Sequence, residues 1–165
     1  MGIKAFQKVA VCMLFCAGGA WAAEPLSDQV WYHSRAGTFY MPGKGAIPLP
    51  ASDRLRAMAI GERCSALGGP RGVYRFMSDK LWLIGLRRCS GGIALRDIYP
   101  EMLTPPVATW IDGVVVARLG RILCTSSAGV PIPDNEVRFT VQQGAVVAFE
   151  ERVGDARSCE LKPVR

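Results

Sequence analysis

Apolar and polar residues alternate with a period of two over much of the chain beyond residue 70. This period is typical of β-strands that bury one face, because successive side chains of a strand point to opposite sides. Three pairs of such segments flank short turn sequences and therefore predict three antiparallel hairpins. The paired segments are 72–77 with 80–86, 106–111 with 114–119, and 136–142 with 145–151.

The residues between the paired segments suit a reversal of the chain. They are Ser78-Asp79 in the first pair, Asp112-Gly113 in the second and Gln143-Gly144 in the third. Glycine adopts positive φ without a steric penalty, and tight hairpin turns require positive φ. The turn chemistry therefore agrees with the alternation on either side of it.

The segment 52–67 has a different spacing and predicts one helix. Ser52 or Asp53 can cap its N-terminus, and Leu55 and Met58 fall on one face. The stretch 67–72, which contains three glycines and one proline, ends it.

Two aromatic segments before the helix, 30–33 and 38–41, predict two further strands. The stretch after them, 41–50, is rich in proline and glycine. We expect it to form an extended arm over the sheet or a mobile loop. Together these elements predict a mainly β or α+β fold: a small antiparallel β-sandwich or open barrel with one short helix.

The N-terminus has the pattern of a secretory signal peptide. Lys4 and Lys8 precede an apolar run from Val9 to Ala17, and Ala20-Trp21-Ala22 supplies an A-x-A cleavage site. The apolar run is much shorter than the roughly 20 residues that cross a bilayer, so we expect cleavage and no transmembrane segment in the mature form. Residues 1–22 are then the signal peptide, and export leads to the periplasm or, alternatively, to the extracellular space.

Cleavage after Ala22 leaves 143 of the 165 residues. That length suits a single domain, 23–165, able to bury about two thirds of its unfolded surface. Four cysteines remain, namely Cys64, Cys89, Cys124 and Cys159. An even set in an exported chain predicts two disulfides. We expect Cys64 to pair with Cys89 and Cys124 with Cys159, the main rival being Cys64 with Cys159 and Cys89 with Cys124.

Cys89 has a second interpretation, as a nucleophile, because two arginines precede it and two glycines follow closely. The stretch from Cys89 to Arg96 loosely resembles the signature of cysteine-dependent phosphatases, in which five residues separate nucleophile and arginine. Here six residues lie between them, and the added residue would turn the guanidinium away from the sulfur. The residues after the glycines also look like a strand, whereas anion capture of this kind needs a helix. We therefore favour a disulfide at Cys89.

No other feature predicts a catalytic, metal or cofactor site. His33 is the only histidine, so a site built on several imidazoles is excluded and a triad would have to use His33 as its base. Carboxylate pairs could be assembled from Asp97, Glu101, Asp112 or Asp134, but any chain with 14 acidic residues offers such pairs. We expect no cofactor and no metal.

The mature chain is mildly basic, with 18 basic residues, 15 of them arginine, against 14 acidic ones. This balance permits a partner such as another envelope or exported protein or an anionic envelope polymer, and lacks the dense basic stripe of a nucleic-acid binder. Aromatic and basic residues cluster near the proline-rich arm, which makes them candidates for the partner surface. They are Trp31, Tyr32, Arg35, Phe39, Tyr40 and Lys44.

These observations favour a small, exported, disulfide-stabilised protein that binds another molecule and is not a catalyst. It would be an accessory protein of the envelope, an inhibitor or immunity-type protein, or a subunit of an envelope, secretion or transfer apparatus. The alternative is an exported hydrolase that depends on a cysteine or on carboxylates. No named family is evident in the residues.

Overall fold

The computed structural model describes residues 26–61, 69–103, 105–126, 129–155 and 159. Within them the chain is mainly β, with eight strands in one sheet and two helices. The strands are β1 (Asp28–Tyr32), β2 (Arg35–Tyr40), β3 (Arg71–Met77), β4 (Lys80–Arg88), β5 (Gly91–Ile93), β6 (Gly113–Thr125), β7 (Pro131–Gln142) and β8 (Ala145–Val153). The helices are α1 (Asp53–Gly61) and α2 (Leu95–Ile98).

The strands lie in the order β3-β1-β2-β6-β7-β8-β4-β5, and β3 also pairs with β4. Neighbouring strands are antiparallel, as predicted, apart from β1 and β3, which are parallel. The long strands β6 and β7 pair from Gly113↔Val141 to Thr125↔Pro131. By contrast, β4 and β8 share the single residue pair Lys80↔Ala145.

One face of the sheet encloses the core. Its largest fully buried side chains include Tyr74, Phe39, Phe139 and Leu83. The register explains this set, because Val30 of β1 lies opposite Tyr74 of β3, and Tyr74 lies opposite Leu83 of β4. Residues two apart along each strand therefore point into the same interior.

The first and third predicted hairpins are confirmed as β3–β4 and β7–β8. The second is wrong: only 114–119 is a strand, within β6, and β6 pairs with β7 and β2. Residues 106–111 make one isolated bridge, Val107↔Trp82, and then turn. The reason is long-range, because the Leu83 N–H donates to the Pro106 carbonyl at 3.0 Å and fixes the segment against β4.

The strand predicted after the glycines, over 93–100, is also wrong apart from its first residue. Gly91–Ile93 forms β5, and Leu95–Ile98 then forms the four-residue helix α2. Leu95 and Ile98 are buried, and their separation of three residues places them on one helical face. A helical turn therefore buries two apolar side chains that a strand would have sent to opposite sides.

The predicted helix begins where expected, at α1. The Ser52 hydroxyl accepts a hydrogen bond from the Leu55 N–H at 3.5 Å and donates one to the Ile98 carbonyl at 3.0 Å. Ser52 thus caps α1 and ties it to α2. The remainder of the predicted helix, 62–67, lies outside the described residues.

The stretch 41–50 begins with a turn that Met41 and Gly45 close by backbone hydrogen bonds, and it continues as an arm held by two side chains of the segment between α2 and β6. Ile47 of the arm is 3% exposed, and Met41 is 5% exposed. The Trp110 indole N–H donates to the Pro48 carbonyl at 2.9 Å, and the Tyr99 hydroxyl donates to the Pro50 carbonyl at 3.0 Å. The arm is therefore part of the packed structure.

Asp28 is the buried carboxylate that joins the arm to two strands. It is 2% exposed, its Oδ2 accepts a hydrogen bond from the Ile47 N–H at 2.8 Å, and its Oδ1 accepts one from the Gly72 N–H at 2.7 Å. Burial raises the pKa of Asp28, while the two backbone donors oppose that rise. One side chain therefore satisfies backbone groups of the arm and of β3 that have no strand partner there.

The turn between β7 and β8 forms a second connection, which we call the Gly144 junction. The Leu81 N–H donates to the Gly144 carbonyl at 2.8 Å, and the Gly144 N–H donates to the Ile111 carbonyl at 3.1 Å. The Val146 N–H donates to the Asp79 carbonyl at 2.8 Å. The start of β8 is thus fastened to the β3–β4 turn and to the segment before β6.

The described residues confirm one predicted disulfide, Cys124–Cys159. Cys89 is also disulfide-bonded. Its predicted partner, Cys64, lies outside the described residues. The confirmed bridge ties the end of β6 to the C-terminal segment, as the sequence predicted.

Asp28→Asn should destabilise the fold, because an amide can accept only one of the two N–H groups and turns its own NH2 towards the other. We expect a loss of about 1–3 kcal/mol near neutral pH. The folded-state pKa of Asp28 lies above its ordinary value of 3.8, so the folded protein binds the proton more tightly than the unfolded chain. The wild-type advantage should therefore grow as the pH falls through the folded pKa towards 3.8.

Urea unfolding of both proteins near neutral pH and near pH 4 measures this difference. A wild-type advantage that shrinks on acidification would contradict the assignment of a raised pKa to Asp28.

Gly144→Ala should destabilise the fold more than Gly43→Ala does. Both glycines have φ of 78°, but a Cβ at Gly144 would lie 2.9 Å from the Ala108 carbonyl, whereas a Cβ at Gly43 meets nothing within 4 Å. The Gly43 variant isolates the backbone penalty of about 1–2 kcal/mol, and the Gly144 variant adds the steric clash. Thermal or urea unfolding compares them, and equal losses would show that the Gly144 junction is not tightly packed.

Candidate functional site

The candidate site lies along the free edge of β8. β8 is paired with β7 from Ala145 to Val153. On its other side β8 meets β4 only at Lys80↔Ala145. In the described part of the chain, no strand pairs with that side from Val147 to Val153. We call this segment the β8 edge.

The β8 edge has apolar side chains in contact with solvent. Val147 is 53% exposed, Phe149 is 62% exposed and Val153 is 77% exposed. Soluble proteins normally cover or charge a strand edge of this kind, because its unpaired N–H and C=O groups can accept another strand. A long open edge with exposed apolar residues is therefore a feature that needs an explanation.

The register shows which way these side chains point. Phe149 lies opposite Phe139, Glu151 opposite Val137, and Val153 opposite Asn135. Residues paired across antiparallel strands lie on the same face of the sheet, and Phe139 and Val137 point into the core. Phe149, Glu151 and Val153 are thus on the inner face and are exposed because the neighbouring side of the sheet is open.

Four aromatic rings lead from the core to this opening, and we call them the aromatic mouth: Tyr32, Phe76, Phe139 and Phe149. Phe76 stacks on Phe139 with ring centroids 3.9 Å apart, and Tyr32 packs edge-on against Phe139 at 5.0 Å. Phe149 lies 6.3 Å from Phe139. The buried Phe139 ring therefore gives the exposed Phe149 an apolar neighbour on the core side.

Polar groups border the aromatic mouth. The Asn135 Nδ2 group donates a hydrogen bond to Glu151 Oε1. Asn135 is 4% exposed, and its Oδ1 has no hydrogen-bond partner among the described residues. Burial raises the pKa of Tyr32, and the negative charge of Glu151 raises it further. A carboxylate, a phenol and an amide are thus grouped beside aromatic rings at an open edge.

The opposite face of the same strands is different, because its charges compensate one another. Arg118 pairs with Glu136 at 3.3 Å, and Arg152 pairs with Glu150 at 2.8 Å. The Arg118 guanidinium also lies over the Tyr40 ring, 4.7 Å from its centroid. Glu151 therefore differs from Glu150: its neighbour Asn135 is neutral, whereas Glu150 is matched by a cation.

The residues predicted to bind a partner do not form one surface. Trp31 lies under the Arg75 guanidinium, and Tyr40 lies beside Arg118. Phe39 is 1% exposed and belongs to the core, which removes it from any contact surface. Arg35 and Lys44 are exposed at the start of β2 and in the turn after it.

Tyr32 alone among the six joins the candidate site, on the inner face. The alternation of Trp31 and Tyr32 along β1 and of Phe39 and Tyr40 along β2 separates these neighbours, since consecutive side chains point to opposite faces. Residues that are close together in the sequence therefore lie on opposite faces of the sheet.

The residues weighed for catalysis do not come together either. Cys89 is disulfide-bonded, so no thiol is present there. His33 occupies the β1–β2 turn with positive φ and packs against the Tyr32 ring at 4.2 Å. Asp97 lies on α2, Asp134 lies on β7, and Asp112 accepts a hydrogen bond from the Gln143 N–H at 2.7 Å. Within the described ranges, no group of three or more metal-ligating side chains occurs.

The sequence analysis missed the residues of the β8 edge. The pattern of 145–151 correctly predicts a strand, but its mixed apolar faces are equally typical of a strand buried on both sides. Whether a strand lies at the edge of a sheet depends on which strands pair with it. The single residue pair between β8 and β4 joins segments that are far apart in the sequence, so no local pattern predicts it. Asn135 gave no signal either, because its burial follows from the length of β7 beyond the predicted start at 136.

No helix in the described residues is long and apolar enough to cross a membrane. Comparison with known proteins gave no match: no family model, no curated protein and no solved structure is significantly similar to this chain. The site must therefore be interpreted from its own geometry.

Proposed function

We propose that this protein is an exported, non-catalytic binding protein that takes up an extended segment of another protein along the β8 edge. The observation that supports this most strongly is the open, apolar edge from Val147 to Val153. Strand addition of this kind obtains affinity from backbone hydrogen bonds and specificity from alternate side chains. The signal-peptide pattern and the Cys124–Cys159 bridge support export.

The side chains of the edge favour an anchor near its centre. Phe149 is exposed, but its ring rests on the buried Phe139. Aromatic residues with a well-packed base are typical of the positions that contribute most to protein interfaces. An incoming strand would lie beside β8 and would remove part of the Phe149 side chain from solvent.

The charges of the edge favour a partner different from this chain. Glu150 and Glu151 are consecutive in β8. Glu150 is on the outer face and is matched by Arg152, whereas Glu151 is on the inner face beside the neutral Asn135. If two copies paired through the centre of β8, their Glu151 carboxylates would approach each other on that face, and like charges across paired strands are destabilising. A neutral or basic segment of another exported protein avoids that repulsion, and it suits the site better than an anionic polymer does.

The same geometry supports finer proposals for the fold. We propose an open barrel, because the pairings return from β4 to β3 while β4 and β8 share one residue pair. We also propose that Cys89 is bonded to Cys64. An inhibitor, an immunity-type protein and a subunit of an envelope or secretion apparatus would each use such an edge to hold a partner.

The alternative, a hydrolase that depends on a cysteine or on carboxylates, has less support. Cys89 is disulfide-bonded. Of the acidic residues considered for a pair, Asp97 lies on α2 and Asp134 on β7, while Glu101 and Asp112 lie in the segment between α2 and β6. No geometric observation favours this alternative.

A designed peptide tests strand addition. The probe is a fluorescent, end-capped peptide of about eight residues, a typical strand length, with alternating valine and threonine and one central citrulline. Two further peptides have N-methyl groups on one or the other set of alternate residues. Because a strand donates to one neighbour through alternate residues only, one methylated peptide should bind and the other should not.

On the protein side, Phe149→Glu should weaken binding of the citrulline peptide by about tenfold or more, which corresponds to about 1.4 kcal/mol. Leu103→Glu is the matched control, because Leu103 is 91% exposed and lies outside the sheet. Fluorescence anisotropy measures affinity, and thermal unfolding confirms that both variants fold.

Failure of the citrulline peptide to bind at about 1 mM, or about −4 kcal/mol, would overturn the proposal. Equal binding of both methylated peptides would do the same, since it would exclude backbone pairing. Sedimentation of the protein alone should show a monomer, and a dimer that Phe149→Glu dissociates would assign the edge to a second copy instead.

A further inference from the structure

Three other features of the described surface are two grooves and one group of charges. A groove beside α1 is lined by Leu49, Leu55 and Arg71, and a second, outer groove is lined by Thr38, Tyr40 and Arg118. The outer charges around Arg138 and Arg152 lie among glutamates. Arg118 and Arg152 form ion pairs within the chain, and none of these three features of the described surface contains a buried polar side-chain atom without a hydrogen-bond partner. The polar border of the aromatic mouth has an unsatisfied group.

Asn135 occupies a position where an apolar side chain would be expected. It lies on the inner face, opposite Leu119 of β6 and Val153 of β8. Its Oδ1 is buried without a partner, and such an orphan acceptor costs about as much as a lost hydrogen bond. Leucine or valine at this position would avoid that cost, so the fold itself gives no reason for an amide here.

The contact that Asn135 does make is directed at Glu151. Its Nδ2 group donates to Glu151 Oε1, which fixes the carboxylate at the border of the aromatic mouth. The other oxygen, Oε2, has no hydrogen-bond partner within the described residues. Tyr32 lies on the same inner face, with its ring packed against Phe139, and the negative charge of Glu151 adds to the effect of burial in raising the pKa of the Tyr32 hydroxyl.

The combination of a fixed carboxylate with exposed aromatic rings matches one ligand chemistry. A guanidinium can donate hydrogen bonds to a carboxylate while its plane packs on an aromatic face. Tyr32 and Phe149 supply such faces, since each packs against Phe139, with ring centroids 5.0 and 6.3 Å from its own. Lysine could use the charge but would lack the planar contact.

We propose that Glu151, Tyr32 and Phe149 form a specificity subsite for an arginine side chain of the strand that docks on the β8 edge. Asn135 is a positioning residue, which holds the Glu151 carboxylate towards the subsite. This inference rests on the proposed function, because the arginine is delivered by the docked strand. It adds that the docked strand of the partner must contain an arginine.

A comparison of two peptides tests the subsite separately from strand addition. One is the citrulline peptide already described, and the other has arginine in place of citrulline. The two side chains have nearly the same shape, but citrulline is neutral. Wild-type protein should bind the arginine peptide about tenfold more tightly at low ionic strength, and the preference should shrink at high salt, where exposed charges are screened.

Three variants locate the preference. Glu151→Gln should reduce the ratio of the two affinities to about one, mainly by weakening binding of the arginine peptide. Glu150→Gln is the matched control: it removes the same charge one position earlier, on the outer face beside Arg152, and should leave the ratio unchanged. Asn135→Leu should keep or raise the melting temperature, since it removes an orphan acceptor, yet should lower the ratio.

Equal affinity of wild type for the two peptides would overturn the subsite and leave strand addition intact. A ratio that Glu150→Gln and Glu151→Gln reduce equally would show a general charge effect and not a subsite. If Asn135→Leu unfolds the protein, Asn135 has a structural role, and the Glu151→Gln ratio alone then decides whether the subsite exists.

Discussion

The geometry of this protein depends most on the Gly144 junction, where β8 leaves β7. Backbone hydrogen bonds from Leu81, Gly144 and Val146 fasten the first residues of β8 to three other segments. Beyond Ala145 the strands β4 and β8 share no further pair. Fixing the start of β8 so tightly while its remainder diverges from β4 creates both the open edge and the aromatic mouth behind it.

Asp28, by contrast, closes another part of the core. Its two carboxylate oxygens hold the arm through Ile47 and β3 through Gly72, so the core there is covered by chain without regular secondary structure. A buried carboxylate is costly unless backbone donors compensate it. The core is thus closed where Asp28 organises backbone groups and open where Glu151 meets solvent. This contrast is the reason for proposing the β8 edge as the binding site.

Much of the fold could be predicted, because β3–β4 and β7–β8 are local hairpins whose pattern and turns agree. The region before β6 could not, since its position depends on a hydrogen bond between the distant Leu83 and Pro106. The candidate site could not be predicted from the sequence. The exposure of Phe149 depends on the absence of a neighbouring strand, and the orphan oxygen of Asn135 depends on three-strand register, neither of which is a local property.

The most direct test of the central claim is residue-by-residue amide hydrogen exchange of the free protein. If the β8 edge is open, amides from Val147 to Val153 should alternate between slow exchange, where they bond to β7, and fast exchange, where they face solvent. Amides of β7 from Val137 to Val141, which has strands on both sides, should all exchange slowly. Uniform slow exchange along β8 would show that its edge is covered and would contradict the account.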